Sequence, residues 1–473
     1  MNANGNKRGL WSSKLGFILA GAGSAIGLGN IWRFPMVTAQ NGGAVFVLFY
    51  LVSVVLICFS VMIAELTLGR NTQRNPVGVY NNLAPGSSWK YLGLLGVITG
   101  WGISSFYSVV AGWTLGYIFF TATGVFTQLG GDPGGVSQVF GDFVANPYSS
   151  IGLHAAFIFL TMLILFGGVK AGIEKWSKIL MPVLLGLLIL LVVRSVTFSQ
   201  ASIGLSFYLK PDWSAFSGSN AGKTIVAAVG QAFFSLSLGM GTMITYGSYL
   251  SKKENIVSSA RWVAFLDTLI ALLAGLVIFP ALFSSGLDNL IDKPGAGLIF
   301  QVLPNVFNEI PFGNVFGTAF FILLAIAAVT SLISILEVPA AYFIDEMKWS
   351  RKKSVLISGI GAFMVGIPAA LSLGAVDGLS KIVTIQDAYG EKNYGFLDLM
   401  NLVFGQYSLI IGSLGVALFV GWKWGMSKIN AEITEGHPEF KYKKPLSFFL
   451  RLFTPIAIAG LLIYLILNPN AFY

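Results

Sequence analysis

"GAGSAIGLGN", residues 21–30, decides how this chain is read. Its crowded glycines invite the turn that seats a dinucleotide pyrophosphate. The context refuses it: the pattern runs G-x-G-x-x-x-G, Ile26 interrupts the required spacing, and no β-strand precedes it in a βαβ unit. The flanking residues are apolar over the length of a membrane-crossing helix, so the glycines fall inside a span.

Composition agrees. Of 473 residues, 55% are hydrophobic and 10% charged, and the mean hydropathy is +0.76, where a soluble domain carries about 25% charged residues. The chain reads as an all-α polytopic membrane protein. Stretches of about 20 apolar residues suffice to cross the hydrocarbon as helix. They predict eleven spans, near 12–36, 43–67, 89–122, 150–168, 175–198, 222–250, 257–285, 313–344, 354–373, 396–422 and 446–467. The longest polar connections lie at 125–149, 199–221, 286–312, 374–395 and 423–445, which leaves function to the helices.

The net charge of +9 reports topology rather than nucleic acid. Basic residues cluster in alternate loops (Lys7 and Arg8; Arg70, Arg74 and Lys90; Lys170, Lys175 and Lys178; Lys252, Lys253 and Arg261; Lys348 and Arg351 to Lys353; Lys423 through Lys444), whereas 125–149 has none. The positive-inside rule predicts a cytoplasmic N-terminus and, with eleven spans, an external C-terminus in a cell (inner) membrane. The polar start lacks a signal-peptide cleavage pattern, so the first span is expected to be retained. A single cysteine, Cys58, excludes an intrachain disulfide framework. His154 and His437 lie far apart, no nucleophile–base pattern or nucleotide motif stands out, and an enzyme is not expected.

A second span is broken in the same way, by "SLSLGMGT" at 235–242. Backbone inside a bilayer leaves helical geometry only where protein or a polar cavity satisfies its N–H and C=O groups. Paired glycine-interrupted spans opening two successive sets of five point to a transporter site at mid-membrane; the plainer reading of either alone is close packing through small residues. An opened helix exposes carbonyls, here those of Gly23, Ala25 and Ile26, and two half-helix ends whose partial charges suit a cation and an anionic group. Asn30 adds an amide oxygen, Ser235 a hydroxyl, and Asp267 in "FLDTLIALLAGL" a carboxylate, an oxygen set suited to a hard cation. An intramembrane Asp costs roughly 2.5–3.5 kcal/mol and is a functional candidate by default, though a structural hydrogen bond would also account for it. Thr330 and Ser331 in "AAVTSLIS" taken alone read as hydroxyls bonded back to the i−4 carbonyl. Glu65 could brace unwound backbone by accepting N–H bonds; Glu337 suggests no specific role.

Taken in order, "GSAIGLGNIWRFP", "FYSVVAGWTLG", "GQAFFSLSLGMG" and "AAVTSL" resemble the neurotransmitter:sodium symporter family in its bacterial amino-acid branch, across essentially the whole chain. The resemblance implies a 5+5 inverted repeat with broken helices 1 and 6. Residues 1–198 would hold the tail and first repeat, 199–422 the second repeat, and 423–473 a cytoplasmic loop and an eleventh helix outside the repeats. It further implies two sodium ions. The first would meet the Ala25 carbonyl, Asn30, Ser235, Asp267 and the substrate carboxylate; the second the Gly23, Ile26 and Ala327 carbonyls and the Thr330 and Ser331 hydroxyls. Asp267 stands where many relatives have Asn, so chloride is expected not to be required.

By the same resemblance the substrate carboxylate would meet the Leu28 and Gly29 amides and the Tyr107 hydroxyl, and its ammonium the carbonyls around Ala25, Phe234 and Ser237. Gly27 stands where monoamine transporters place an Asp, leaving space for an α-carboxylate. Ser24, Ile103, Phe234, Met240, Leu332 and Ile335 would line a mostly apolar side-chain pocket. The expected substrate is a neutral, hydrophobic or aromatic amino acid. Arg33 with Phe234 would form the outer gate, but the family's acidic partner maps to Asn401; Asp398 or an amide and water are the substitutes. Arg8, Asp345, Ser248 and Tyr249 would form the inner gate. In span five, Gly172 and Pro182 imply either local unwinding or an ordinary kink. Two sodium ions carried with a zwitterion down 100 mV release about 4.6 kcal/mol, roughly a thousandfold accumulation without ATP. The expectation is sodium-coupled symport by alternating access; the alternatives are a sodium-permeable channel and a non-transporting amino-acid receptor.

Overall fold

The computed structural model describes residues 9–130, 132–286, 298–435 and 441–472. Among these, nine continuous helices are long and apolar enough to cross a bilayer, and the pair Lys14–Ala25 and Gly29–Gln40, bent by 52° at its break, makes a tenth crossing. A second interrupted pair, Ser219–Ser235 and Thr242–Gly247, lies where the other glycine cluster was found.

Several ends extend past those predicted. The crossing placed at 175–198 runs over Gly168–Val196, and the one placed at 396–422 over Phe396–Thr434. In both cases a π-helical turn, Gly168–Glu174 or Phe419–Gly425, carries helix through glycine and lysine residues that read as loop. The polar connections are also more ordered than composition implied, holding Pro133–Ala145, Ala201–Leu209, Leu303–Asn308 and Met426–Thr434. The all-helical expectation gains one antiparallel hairpin, Val383–Asp387 with Gly390–Tyr394, in register Val383 to Tyr394. Asn470 pins it, donating from Nδ2 to the Ile385 and Gly390 carbonyls at 3.1 and 2.8 Å.

Each break has a local cause. Ser13 caps the first helix by accepting the Gly16 N–H, and the helix stops at Ala25 because Ile26 turns extended at φ −74°, ψ 106°. Helix resumes as a π-turn at Gly29–Arg33 and tightens to α at Phe34, where Pro35 tolerates the first-turn position. In the second break Ser237, Gly239 and Gly241 all have positive φ, 52°, 85° and 79°. For glycine this is cheap. Gly239 is also forced by space, since a Cβ there would lie 2.0 Å from the Leu409 carbonyl oxygen and 2.7 Å from Ser413 Oγ.

Gly239→Ala therefore combines backbone strain of roughly 1–3 kcal/mol with a clash against helix backbone. The expected result is a melting temperature lower by several degrees and little transport, read by thermal unfolding of purified protein. An unchanged melting temperature would mean that the neighbouring helix yields freely.

The long helices Lys90–Ala122 and Gly313–Asp345 pack along one another, and Lys14–Ala25 lies against Ile256–Ser284, Lys175–Val196 and Gly313–Asp345. Tyr107, Asp267 and Thr330 are thereby carried to the first break.

Candidate ion and substrate site

Asp267 is fully buried and is surrounded by donors. Asn30 Nδ2 donates to its Oδ1 at 2.7 Å and to its backbone carbonyl at 3.0 Å. Ser235 Oγ lies 3.0 and 2.9 Å from the two carboxylate oxygens, and Tyr50 donates to Oδ2 at 3.5 Å. Three of the four residues assigned to the first ion from sequence thus meet, from the first break, the second break and the Ile256–Ser284 helix. Asn30 Oδ1 is turned to the Gly27 N–H at 3.2 Å, tying the amide to the opened backbone. Tyr50 was not anticipated, because a Tyr in the apolar run "VLFYLVS" carries no signal of its own. Asn30 turns its amide nitrogen to Asp267, and the remaining groups, the Asp267 carboxylate with the Ser235 and Tyr50 hydroxyls, are oxygens of the kind that suit a hard cation.

The second set also meets the break. A Cβ on Gly23 would sit 3.2 Å from Thr330 Cβ and 3.2 Å from Met181 Sδ. Thr330 donates to the Ile326 and Ala327 carbonyls at 3.1 and 3.0 Å, and Ser331 reaches across to the Ser24 carbonyl at 3.2 Å. Ala327 and Ile26 are fully buried. The back-bonding of Thr330 is what residue type alone suggests; the cross-helix bond of Ser331 is a tertiary product.

Beside both lies a small cavity of about 20 Å³, room for about one water. Ala25, Gly29, Ile103 and Tyr107 line it, together with Phe234, Ser237, Met240 and Ile335, all assigned from sequence; Gly27, Ser331 and Leu409 line it as well. Leu28 instead presents its N–H to Tyr107 Oη at 2.9 Å. Ser24 turns its hydroxyl to Ser334 at 2.7 Å, while Leu332 is buried in the surrounding core. Ser237 donates to the Ser24 carbonyl at 3.1 Å, which joins the two breaks directly. Glu65 accepts the Gly239 N–H at 2.7 Å and so braces the second break, as its position suggested. Any solute larger than one water requires this lining to part.

Arg33 sits above the cavity. Its Nη1 donates to Gln231 Oε1 at 2.9 Å, its guanidinium lies 4.9 Å from the Phe234 ring centre, and Gln231 in turn donates to the Gly29 carbonyl at 2.8 Å. Gln231, one of many polar residues near a break, was not singled out from sequence. Asp398 caps its own helix, accepting the Gly395 N–H at 3.3 Å, and lies 3.9 Å from Lys392 Nζ. Burial pushes the Lys392 ammonium down to about 8, with Asp398 pulling the other way. Asn401 opens the π-turn Asn401–Tyr407.

At the other end, Arg8 lies outside the described residues. Asp345 accepts the Asn75 backbone N–H at 2.7 Å. Tyr249 donates to Glu337 at 2.7 Å, and Arg351 grips Glu337 with two bonds of 2.6 and 2.7 Å, which supplies the partners that Glu337 lacked in sequence. Ser248 caps the short helix Thr242–Gly247. Trp11 was missed: its indole donates to the Tyr246 carbonyl at 3.0 Å and packs edge-on against Phe17, Tyr246 and Tyr249. Gly172 falls in the π-turn Gly168–Glu174, and Pro182 stays within the continuous helix Lys175–Val196.

Helices opened in mid-membrane are tolerated where their freed amides and carbonyls line a polar cavity, the construction of secondary transporters. The geometry above is of that class. The model of the sodium:neurotransmitter symporter family matches residues 8–128 and 149–472, and the chain belongs to that family. It is 37% identical to the uncharacterized sodium-dependent transporter YhdH of Bacillus subtilis over 95% of each chain. It is 34% identical to the uncharacterized sodium-dependent transporter MJ1319 of Methanocaldococcus jannaschii, over 91% of this chain and 85% of that one. Among solved structures, MhsT in complex with L-phenylalanine matches with a TM-score of 0.86 and 44% identity, covering 96% of this chain and 99% of that one. The chain is thus a multi-pass, sodium-dependent symporter and not an enzyme.

Proposed function

We propose that this protein couples two sodium ions to the uptake of a neutral amino acid with a hydrophobic or aromatic side chain, by alternating access around the two broken helices. The observation that carries this is the meeting of Asn30, Ser235 and Asp267 beside a cavity lined by Tyr107, whose hydroxyl accepts the Leu28 N–H. The substrate carboxylate takes the amides freed at Leu28 and Gly29 together with Tyr107, and completes the shell of the first sodium. Ala25, Asn30, Ser235 and Asp267 supply the rest. The second sodium takes the Gly23, Ile26 and Ala327 carbonyls with Thr330 and Ser331. Ile103, Phe234, Met240 and Ile335 receive the side chain, a lining without charge, where Met adapts to varied shapes.

In this reading the pair Ser219–Ser235 and Thr242–Gly247 counts as one broken crossing, bringing the total to eleven. Residues 1–198 and 199–422 form the inverted repeats, with 423–473 appended. The basic loops face the cytoplasm, with the C-terminus outside. Asp267 supplies the negative charge at the ion pair, so uptake proceeds without chloride. Arg33 with Gln231 and Phe234 closes the outer side, and Asp345, Ser248, Tyr249 and Trp11 serve the inner side.

Proteoliposomes test the whole reading. Saturable accumulation of labelled phenylalanine against its gradient, driven by sodium and indifferent to replacing chloride with gluconate, is expected. A channel accumulates no zwitterion, and a receptor shows only stoichiometric binding. Tyr107→Phe removes one hydrogen bond to a charged group, worth about 1.5–3 kcal/mol, so the substrate half-saturation rises roughly ten- to a hundredfold. An unchanged value would remove Tyr107 from the carboxylate shell.

A further inference from the structure

Behind the second ion set, on the lipid-facing side, the helices Lys90–Ala122, Pro147–Phe166, Gly168–Val196 and Gly313–Asp345 enclose an almost wholly apolar groove of about 300 Å³. Leu163, Trp176 and Ile322 on its lips are 50%, 40% and 37% exposed. Along Gly313–Asp345 the lining runs from Ile322 to Val329, about 10 Å of helix at 1.5 Å per residue.

One end of the groove is chemically marked. Trp176 lines it there, next in sequence to the exposed Lys175 and six residues from the exposed Lys170 on the same helical stretch. Arg351, which precedes the exposed Lys352 and Lys353, donates to the Leu165 carbonyl at 2.9 Å, adjacent to the groove residue Ile164. An interfacial Trp with a basic rim above an apolar slot is complementary to a lipid of negative headgroup.

The groove shares its walls with the first break. Leu180 and Val329 line it, while their neighbours Met181 and Thr330 are the two side chains that a Cβ on Gly23 would strike at 3.2 Å. Two helices therefore present consecutive residues to the groove and to Gly23.

We propose that this groove seats one acyl chain of an anionic phospholipid, its headgroup against Lys170 and Lys175, and that occupancy sets the spacing of the two helices flanking Gly23 and so the sodium affinity. The second half rests on the reading of Gly23, Thr330 and Ser331 as a sodium site. A filled groove holds Leu180 and Val329 apart at a fixed distance, and Met181 and Thr330 then hold the break in one geometry.

The test uses the purified full-length protein with phosphatidylglycerol and phosphatidylcholine of identical acyl chains. Native mass spectrometry is expected to show one retained phosphatidylglycerol and no retained phosphatidylcholine. Leu163→Trp, filling the groove from its exposed lip, should abolish retention. Lys170→Gln with Lys175→Gln, which leaves the apolar slot intact, should weaken it about thirtyfold. Sodium half-saturation of phenylalanine binding is then expected to be about fivefold lower in phosphatidylglycerol nanodiscs than in phosphatidylcholine, a difference lost in Leu163→Trp. Equal retention of the two lipids, or retention indifferent to Leu163→Trp, overturns the lipid site. Selective retention with identical sodium dependence overturns the coupling. If Thr330→Ala leaves sodium half-saturation unchanged while lipid retention persists, the ion-site reading fails and the lipid site stands.

Discussion

Asp267→Ala is expected to abolish sodium-dependent uptake and to raise the sodium half-saturation for substrate binding by at least about a hundredfold. The carboxylate is fully buried and receives Asn30, Ser235 and Tyr50. Alanine strands these buried donors at about 1–3 kcal/mol each, a cost to folding, and removes the fixed charge that the proposed first sodium would face; a loss of about 2.8 kcal/mol in ion binding already amounts to a hundredfold. Asp267→Asn separates the two contributions, because the amide keeps the volume and an acceptor oxygen while losing the charge. It should fold like the parent, bind sodium more weakly, and acquire stimulation by chloride, which supplies the missing negative charge. Sodium titrations of labelled phenylalanine binding, with and without chloride, measure all three. Parent-like sodium dependence in Asp267→Ala would remove Asp267 from the ion shell.

Gly27→Ala is expected to eliminate amino-acid binding while leaving the protein folded. A Cβ at Gly27 would lie 2.6 Å from Tyr107 Oη, 2.9 Å from Ser331 Cβ and 3.0 Å from its Oγ. Relief requires displacing the Tyr107 hydroxyl and the Ser331 side chain, which also breaks the Leu28 N–H to Tyr107 bond of 2.9 Å. Overpacking of this kind costs about 1–3 kcal/mol. Added to the lost carboxylate contact, it lowers substrate affinity by at least about a hundredfold. Gly186→Ala is the control, since a Cβ there meets nothing within 4 Å; it should transport normally and be stabilised by about 0.5–1 kcal/mol, because alanine is the better helix former. Equilibrium binding and thermal unfolding of both variants decide the matter. Parent-like binding by Gly27→Ala would show that Tyr107 and Ser331 yield without cost.

Much of this protein was legible along the chain because a bilayer leaves few options. Twenty apolar residues must be helix, and glycine clusters inside two of them mark where helix can stop. "GAGSAIGLGN" stops at Ala25 and resumes at Gly29, and the second cluster breaks with three positive φ values. Asp267 was conspicuous because an acid among Leu and Ala is costly enough to need a reason. Span ends were less legible: π-turns at Gly168–Glu174 and Phe419–Gly425 carry helix through residues of loop-like composition.

Only the tertiary structure decided who meets whom. Tyr50 reaches Asp267 across 217 positions and Gln231 reaches Gly29 across 202, and neither residue type announces such a partner. Arg33 lies on Gln231 and Phe234, and Trp11 docks on Tyr246, through packing that no local pattern encodes. The amino-acid sequence by itself determined that helices cross the membrane and where two of them open, because those are properties of a segment in its solvent. The partners of each buried polar group followed from how the segments stack, because a hydrogen bond in the interior is set by three-dimensional proximity and not by distance along the chain.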